Sequence, residues 1–374
     1  MACDQTPVDI LLKLSLVEGF TARHLAWLAS TRDRATASHG DGSPPGRFLL
    51  QKGIEAAGSP EAAERAQEVR ETCARLGVRI VTLGSDGYPH LLATVADAPL
   101  VLYWWGAGTA GKETVAVVGS RAPTAAGKEF ARGLAADLSL QGVTVVSGMA
   151  RGIDAAAHEG ALEAGGKTVA VLGCGVDVLY PPEAGRLREN ILVRGAVVSE
   201  FPPGTQPLPW RFPARNRLIS GMARAVVVAE APAKSGALIT AGFALEQGRE
   251  VMAVPGSPLF PHTEGSNRLL QEGAAMVTGA EDVLLALGWT GGTCIPSPGA
   301  GSGEAEGEGD LERRILRYLS VERHVNDIAG SLNVPVQELL PRLLDMEFRK
   351  LLERRRGDYY KNMSKSGRPA RGRA

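Results

Sequence analysis

Six short apolar runs punctuate the middle of the chain: "TVAVVG", "VTVVSG", "TVAVLG", "GAVVSE", "AVVVAE" and "VMAVPG". Each ends at a turn residue, and most lead into a stretch with helical spacing, such as "AAGKEFARGLAADLSLQG" or "ALITAGFALEQG". A strand that is apolar throughout, rather than alternating apolar and polar, needs cover on both faces of its sheet. Strands alternating with helices supply that cover by laying the helices across a parallel sheet. The alternation therefore predicts a doubly wound, Rossmann-like α/β domain over residues 86–290.

The flanks read differently. Residues 1–85 show helical periodicity in "VDILLKLSLVEGF" and "EAAERAQEVRETCARLG", broken by the turn-rich "ASHGDGSPPG", and are expected to form a helical domain. Residues 291–310 contain "PSPGAGSGEAEGEGD", the composition of a flexible acidic linker. Residues 311–362 form a further small unit, and 363–374 are a basic tail. The 374 residues hold 41 basic and 41 acidic side chains. That balance excludes a uniformly cationic coat, so attraction to a polyanion must be local. The cysteines (Cys3, Cys73, Cys174 and Cys294) lie far apart, with neither a disulfide framework nor zinc spacing. The start, "MACDQTPVDILLKLSLVEGF", carries acids within its apolar stretch, unlike a secretory leader, and no apolar run reaches the roughly 18–20 residues of a membrane span. A reducing cytoplasm with no membrane partner is the expected setting.

In open parallel sheets, ligands bind beyond the carboxyl ends of the strands, where helix N-termini offer N–H groups. Those ends read Gly119-Ser120-Arg121, then Ser147-Gly148 leading to Arg151-Gly152-Ile153-Asp154, then Gly173-Cys174-Gly175, Ser199-Glu200 and Pro255-Gly256-Ser257. Glycine admits close backbone approach, serine donates, and Arg121 offers a forked cation suited to phosphate. Tight strand-to-helix turns need Gly and Ser in any case, so no single turn decides; several beside Arg121 point to an anion site. The nucleotide fingerprints are missing. "GCGVDV" lacks the third glycine, and "ALEAGGKT" precedes a strand where a P-loop follows one. No catalytic triad, carboxylate pair or metal cluster stands out, no cofactor is expected, and His158 reads as a helix residue rather than a base.

The stretch "PWRFPARNRLISG" (209–221) sets Arg211, Arg215 and Arg217 around Trp210 and Phe212. Pro213 suits the first helical position. Arg211 and Phe212 would then precede the helix, with Arg215 to Arg217 in its first turns. Exposed cations there oppose the helix macrodipole at a cost of about 0.3–1 kcal/mol each, so an anion is expected to offset them. Single-stranded nucleic acid supplies phosphates for the arginines and bases for a ring, Phe212 before Trp210. Either ring also suits a core anchor.

In order along the chain, "VAVVGSRAPT", "VVSGMARGIDAAAHEGAL", "TVAVLGCGVDVLYPPE", "SEFPPG", "FPARNRLISGMA", "SGALITAGFALEQGREVMAVPGS" and "EGSNRLLQEGA" resemble the DNA-processing protein A family, DprA or Smf. The resemblance implies an extended Rossmann fold that binds single-stranded DNA without turning over a substrate. It also implies a homodimer that helps load the RecA recombinase onto DNA during natural transformation. By position it assigns DNA contact to Arg121 of "GSR" and to Phe212, Arg215, Asn216 and Arg217 of "FPARNR". Gly119, Ser120, Ser147 and Gly148 line the same edge. The sequence departs from the family at "YPPE", where Pro182 and Glu183 stand in place of a lysine that some members use on DNA.

Outside that core, "LSLVEGFTARHLAWL" is similar to the start of a helix–hairpin–helix and equally to a plain helix pair. Residues 311–362 resemble a winged-helix domain. "VNDIAGSLNVPVQELLPRLLDMEF" reads as helix–turn–helix and "LLERRRGDYYK" as a hairpin turning at Gly357-Asp358. Glu338, Asp345 and Glu347 against Arg342 make its second helix better suited to a protein than to DNA. Two enzyme classes compete with the binding role. A nucleoside-monophosphate-cleaving enzyme of a related Rossmann class carries Pro-Gly-Gly-x-Gly-Thr, where this chain has "KSGALIT" and "VPGSP". A dinucleotide-dependent enzyme lacks its fingerprint here.

Overall fold

Each of the six apolar runs is a strand in the computed structural model, which describes residues 7–17, 54–289 and most of 312–362. The chain opens with α1 (Pro7–Ser15), α2 (Pro60–Leu76), β1 (Arg79–Thr82), α3 (His90–Ala93) and β2 (Val101–Trp105). The expected alternation follows as β3 (Thr114–Val118), α4 (Ala125–Leu140), β4 (Thr144–Ser147), α5 (Ile153–Glu163), β5 (Thr168–Leu172), α6 (Gly185–Arg194) and β6 (Ala196–Ser199). It continues through α7 (Arg211–Gly221), β7 (Ala225–Val228), α8 (Gly236–Glu246), β8 (Glu250–Ala253), α9 (Glu264–Gln271), β9 (Ala275–Met276) and α10 (Ala280–Ala286).

These strands form one sheet in the order β1-β2-β6-β5-β4-β3-β7-β8-β9. From β6 to β9 every pairing is parallel. The chain steps outward from β3 through β4, β5 and β6, then returns to the other side of β3 for β7, β8 and β9. That reversal is the switch point of a doubly wound sheet, and β5-β4-β3-β7-β8-β9 is the 3-2-1-4-5-6 order of Rossmann folds. The extension is antiparallel: β2 joins β6, and β1 joins β2. Neither β1 nor β2 is among the six runs. "RIVT" is only four residues long and follows directly on α2, inside the stretch read as helical.

Successive strand residues face opposite sides of the sheet. Val115 and Val117 of β3 bury against α4 and α5, whereas Ala116 and Val118 bury with residues of α7 and α8. Leu12, Leu14, Ala66 and Cys73 of α1 and α2 join Val101, Tyr103, Ala170, Leu172 and Val197. The described helices before residue 85 thus share a core with the sheet.

A second compact unit begins at Ser297. It holds β10 (Arg323–His324), α11 (Val325–Leu332), α12 (Val336–Phe348), β11 (Leu352–Arg355) and β12 (Tyr359–Asn362). Its antiparallel sheet runs β10-β12-β11, and its own core includes Ile315, Ile328, Leu339, Leu343, Met346 and Tyr360. Most of the helix–hairpin–helix stretch, the linker, the Gly357-Asp358 turn and the basic tail lie outside the described residues. Among the described residues, no helix is long and apolar enough to cross a membrane.

Candidate nucleic-acid interface

Beyond β3 the chain makes a turn that only glycine can start. A Cβ on Gly119 would lie 2.6 Å from Ile153 Cγ1 and 2.8 Å from the Glu230 carbonyl. The Ser120 N–H donates to that carbonyl (2.7 Å), its own carbonyl accepts from Ile153 N (3.1 Å), and its Oγ accepts from Ala122 N (3.1 Å). Ser120 is therefore buried and taken up by the turn. Arg121 emerges from it exposed, its guanidinium 5.7 Å from the Phe212 ring centroid. No ion pair among the described residues involves it.

The turn after β4 is equally internal. Ser147 is fully buried and donates to Val117 O at 2.7 Å. The N–H groups of Gly148 and Ala150 donate to the Asp154 carboxylate at 3.2 and 3.4 Å. Burial pushes the Asp154 carboxyl above its usual range; Arg215, those two N–H groups and Arg121 pull the other way. A Cβ on Gly148 would lie 2.6 Å from the Arg215 guanidinium, so the glycine makes room for the arginine.

The family resemblance assigns Arg215 to DNA contact. That residue is only 4% exposed, donating through Nη1 to Gly148 O (2.8 Å) and to Val171 O. Its Nε donates to Asn216 Oδ1 at 3.3 Å, and the Asn216 amide donates to Gly236 O at 3.2 Å, joining α7 to the start of α8. Burial lowers the Arg215 pKa to about 10, opposed by Asp154, so it stays cationic at neutral pH. Arg217 is also internal, bound to Glu200 (2.5 Å) and Asp97 (3.3 Å). Burial raises the Glu200 pKa against the pull of Arg217. The anions expected to offset these cations are therefore the protein's own carboxylates.

Helix α7 starts at Arg211 with Trp210 at its N-cap, two residues earlier than Pro213 suggests. Pro213 sits third, where its missing N–H is still one of the four a helix start leaves unbonded. Phe212 is half-buried, its ring 5.0 Å from that of Tyr180 at 33°. Bare Gly173 lies against it, with room for a Cβ only 3.1 Å from Phe212 Cδ1. The resulting cleft is lined by Arg121, Gly148, Gly173, Tyr180, Phe212 and Arg215. Tyr180 had no signal in the sequence, because the long loop after β5 rather than local spacing brings it to Phe212. At the rim Arg151 pairs with Glu183, the residue of the "YPPE" departure.

Two further groups bear on catalysis. At the N-terminus of α4, Thr124 N and Oγ1 donate to the Glu230 carboxylate at 2.8 and 2.5 Å. A Cβ on Gly127 would collide with Glu230 Oε2. That position, the first strand-to-helix turn of the six Rossmann-ordered strands, is where a dinucleotide phosphate binds in this topology. His158 is fully buried, its Nδ1 2.6 Å from Thr168 Oγ1. That hydroxyl donates to Val145 O (2.7 Å), so Nδ1 is the donor to it. Burial, with Arg215, lowers the His158 pKa to about 3. No cluster of His, Cys, Asp and Glu among the described residues could hold a metal ion.

A family model for DNA recombination-mediator protein A matches residues 79–288, from the first residue of β1 to just beyond α10. The chain belongs to this family. The DNA processing protein DprA of Streptococcus pneumoniae is 48% identical over 200 residues, covering 53% of this chain and 71% of that relative. The X-ray structure of the Streptococcus pneumoniae protein aligns over 74% of this chain and 95% of its own, at 36% identity and a TM-score of 0.58. A Helicobacter pylori DNA processing protein A structure, described for its single-stranded DNA binding mode, aligns over 56% of this chain and 95% of its own. There the identity is 28% and the TM-score 0.51.

Proposed function

We propose that this DNA recombination-mediator family chain binds single-stranded DNA in the cleft beyond β3, β4 and β5, without turning over a substrate. In this reading it acts as a cytoplasmic homodimer and passes the strand to a RecA recombinase during DNA uptake. One observation carries the binding reading. The exposed Arg121 guanidinium lies 5.7 Å from the centroid of the Phe212 ring, and the Tyr180 ring lies 5.0 Å from it at 33°. A cation beside a stacking face matches phosphate beside base, without a sequence code. Gly119, Ser120, Ser147, Gly148, Asn216 and the two internal arginines build the edge that holds this pair in place. The single-stranded DNA binding described for the Helicobacter pylori relative supports the same reading. The RecA and homodimer parts rest on the family resemblance. Leu340 and Leu344, exposed one turn apart on α12, suit a winged-helix-like second unit that contacts protein.

A dinucleotide enzyme fits less well, since Glu230 fills the phosphate position at α4. A nucleoside-monophosphate-cleaving enzyme needs an available acid in the cleft. Asp154 is buried beneath backbone N–H groups, and Glu183 is paired with Arg151. Titrating the full chain with single- and double-stranded oligonucleotides at several salt concentrations tests the reading. Single strands should bind more tightly, with log affinity falling against log salt by about 0.7 per phosphate contact. Equal binding of duplex, or base released from nucleoside monophosphates, would overturn it.

A further inference from the structure

Trp210 stands at the start of α7 with 59% of its surface exposed, in a chain where aromatic residues make up only 5%. The ring is nonetheless held. The Arg211 guanidinium lies 5.0 Å from its centroid and 5.0 Å from that of Phe201. Phe201 meets Trp210 edge-on, 6.5 Å away at 87°. Arg211 is itself fixed, with Nη1 donating to Gln206 O at 2.5 Å. A rigid indole left open to solvent is poor use of a core residue and good use of a contact residue.

Its placement relative to Phe212 identifies the contact. Trp210 has helical backbone angles. At about 100° per residue, side chains two positions apart project roughly 200° apart. The helix start therefore carries an aromatic ring on each side, Phe212 against Tyr180 and Trp210 against Phe201. Arg215 and Arg217 of the same helix are taken up inside the protein, which leaves Arg211 as the cation against the Trp210 ring. An anionic strand bearing flat bases suits both features; a neutral apolar protein surface uses only one.

We infer that Trp210 is a second base-stacking station, taking another base of the strand that stacks on Phe212, with Arg211 holding the ring in place. This inference rests on the single-strand reading. That reading stands on Arg121 and Phe212, however, so the two can fail separately. The test titrates wild type, Trp210→Ala, Trp210→Phe and Phe212→Ala with oligothymidylates of increasing length at two salt concentrations, with melting temperatures alongside. Trp210→Ala should bind long oligonucleotides about 5- to 150-fold more weakly, the equivalent of one lost stacking contact. The shortest oligonucleotides should be unaffected, the salt slope should hold, and Trp210→Phe should restore most of the loss. Wild-type affinity in Trp210→Ala at every length would overturn the second station while leaving the single-strand reading intact. So would a weak Trp210→Phe protein with a lowered melting temperature, which would make the ring a packing residue. A wild-type chain that binds no single strand would instead remove the underlying reading.

Discussion

Arg121 and Arg215 have the same side chain at the same sheet edge, yet one is exposed and the other 4% exposed. Arg121→Ala should leave the melting temperature nearly unchanged, as for surface changes of about 0.5 kcal/mol or less. It should weaken single-strand binding and flatten the salt slope by about 0.7. Arg215→Ala should act on the fold. It strips the Gly148 and Val171 carbonyls of the Arg215 donor and leaves buried Asp154 without the cation that most favours its charged form. Breaking a buried charge arrangement of this kind costs about 3–5 kcal/mol, read as a lower melting temperature. An Arg215→Ala protein with wild-type stability and no DNA affinity would make Arg215 a direct contact after all. His158 adds a pH dependence. Its pKa is lowered from 6.5 to about 3, so the unfolded chain takes up a proton that the folded chain refuses. The stability from neutral His158 is complete above pH 6.5 and is lost as pH falls toward 3. Between pH 7 and 5 the loss should be about 2 kcal/mol. Asp154 and Glu200, raised by burial, act in the opposite sense but are common to wild type and His158→Gln. The difference between the two unfolding curves across that range therefore isolates the histidine, and parallel curves would refute its role.

At the scale of elements, α4 and α7 begin in contrasting ways. α4 is capped by Thr124 Oγ1, which accepts from Gly127 N at 3.0 Å, and by the buried Glu230 carboxylate brought from the end of β7. Glu230→Ala should lower stability by about 1–3 kcal/mol, since charged hydrogen bonds are lost and a buried donor is left unmet. Glu230→Gln should cost less, because its amide oxygen can still accept from Thr124. Unchanged melting temperatures in both variants would leave the cap to Thr124 alone. Nothing in "AVVVAE" marks this glutamate as a helix cap, because its partners lie 106 residues earlier in the chain. The start of α7 was half legible. Pro213 announces a nearby helix start, but the helix extends to Arg211 because proline is tolerated anywhere in the first turn. The strands missed were β1 and β2, at the antiparallel edge, and β9, of two residues. Two residues are too few for a pattern to register in β9, whereas β1 and β2 are as long as the legible strands and lie before the strand–helix alternation begins.

For the whole molecule, the division at Ser297 makes a prediction. The three clusters that cover the large sheet lie entirely before it, and the second unit has a core of its own. A chain ending at Pro296 should therefore fold cooperatively and keep its single-strand affinity. Loss of most binding in a well-folded truncation would move the DNA contact to the second unit or the basic tail. By itself the sequence determined the doubly wound sheet and the clustering of cations and rings around 210–217. Each depends on hydrogen bonding and burial that repeat at short, regular spacing. Tertiary structure alone decided which cations remain at the surface. Arg217 turns inward because Asp97 and Glu200 meet it there, and Arg215 because bare Gly148, 67 residues away, leaves space for its guanidinium. The large desolvation penalty of a buried charge must be met by partners in space, and residue spacing along the chain carries no record of those partners.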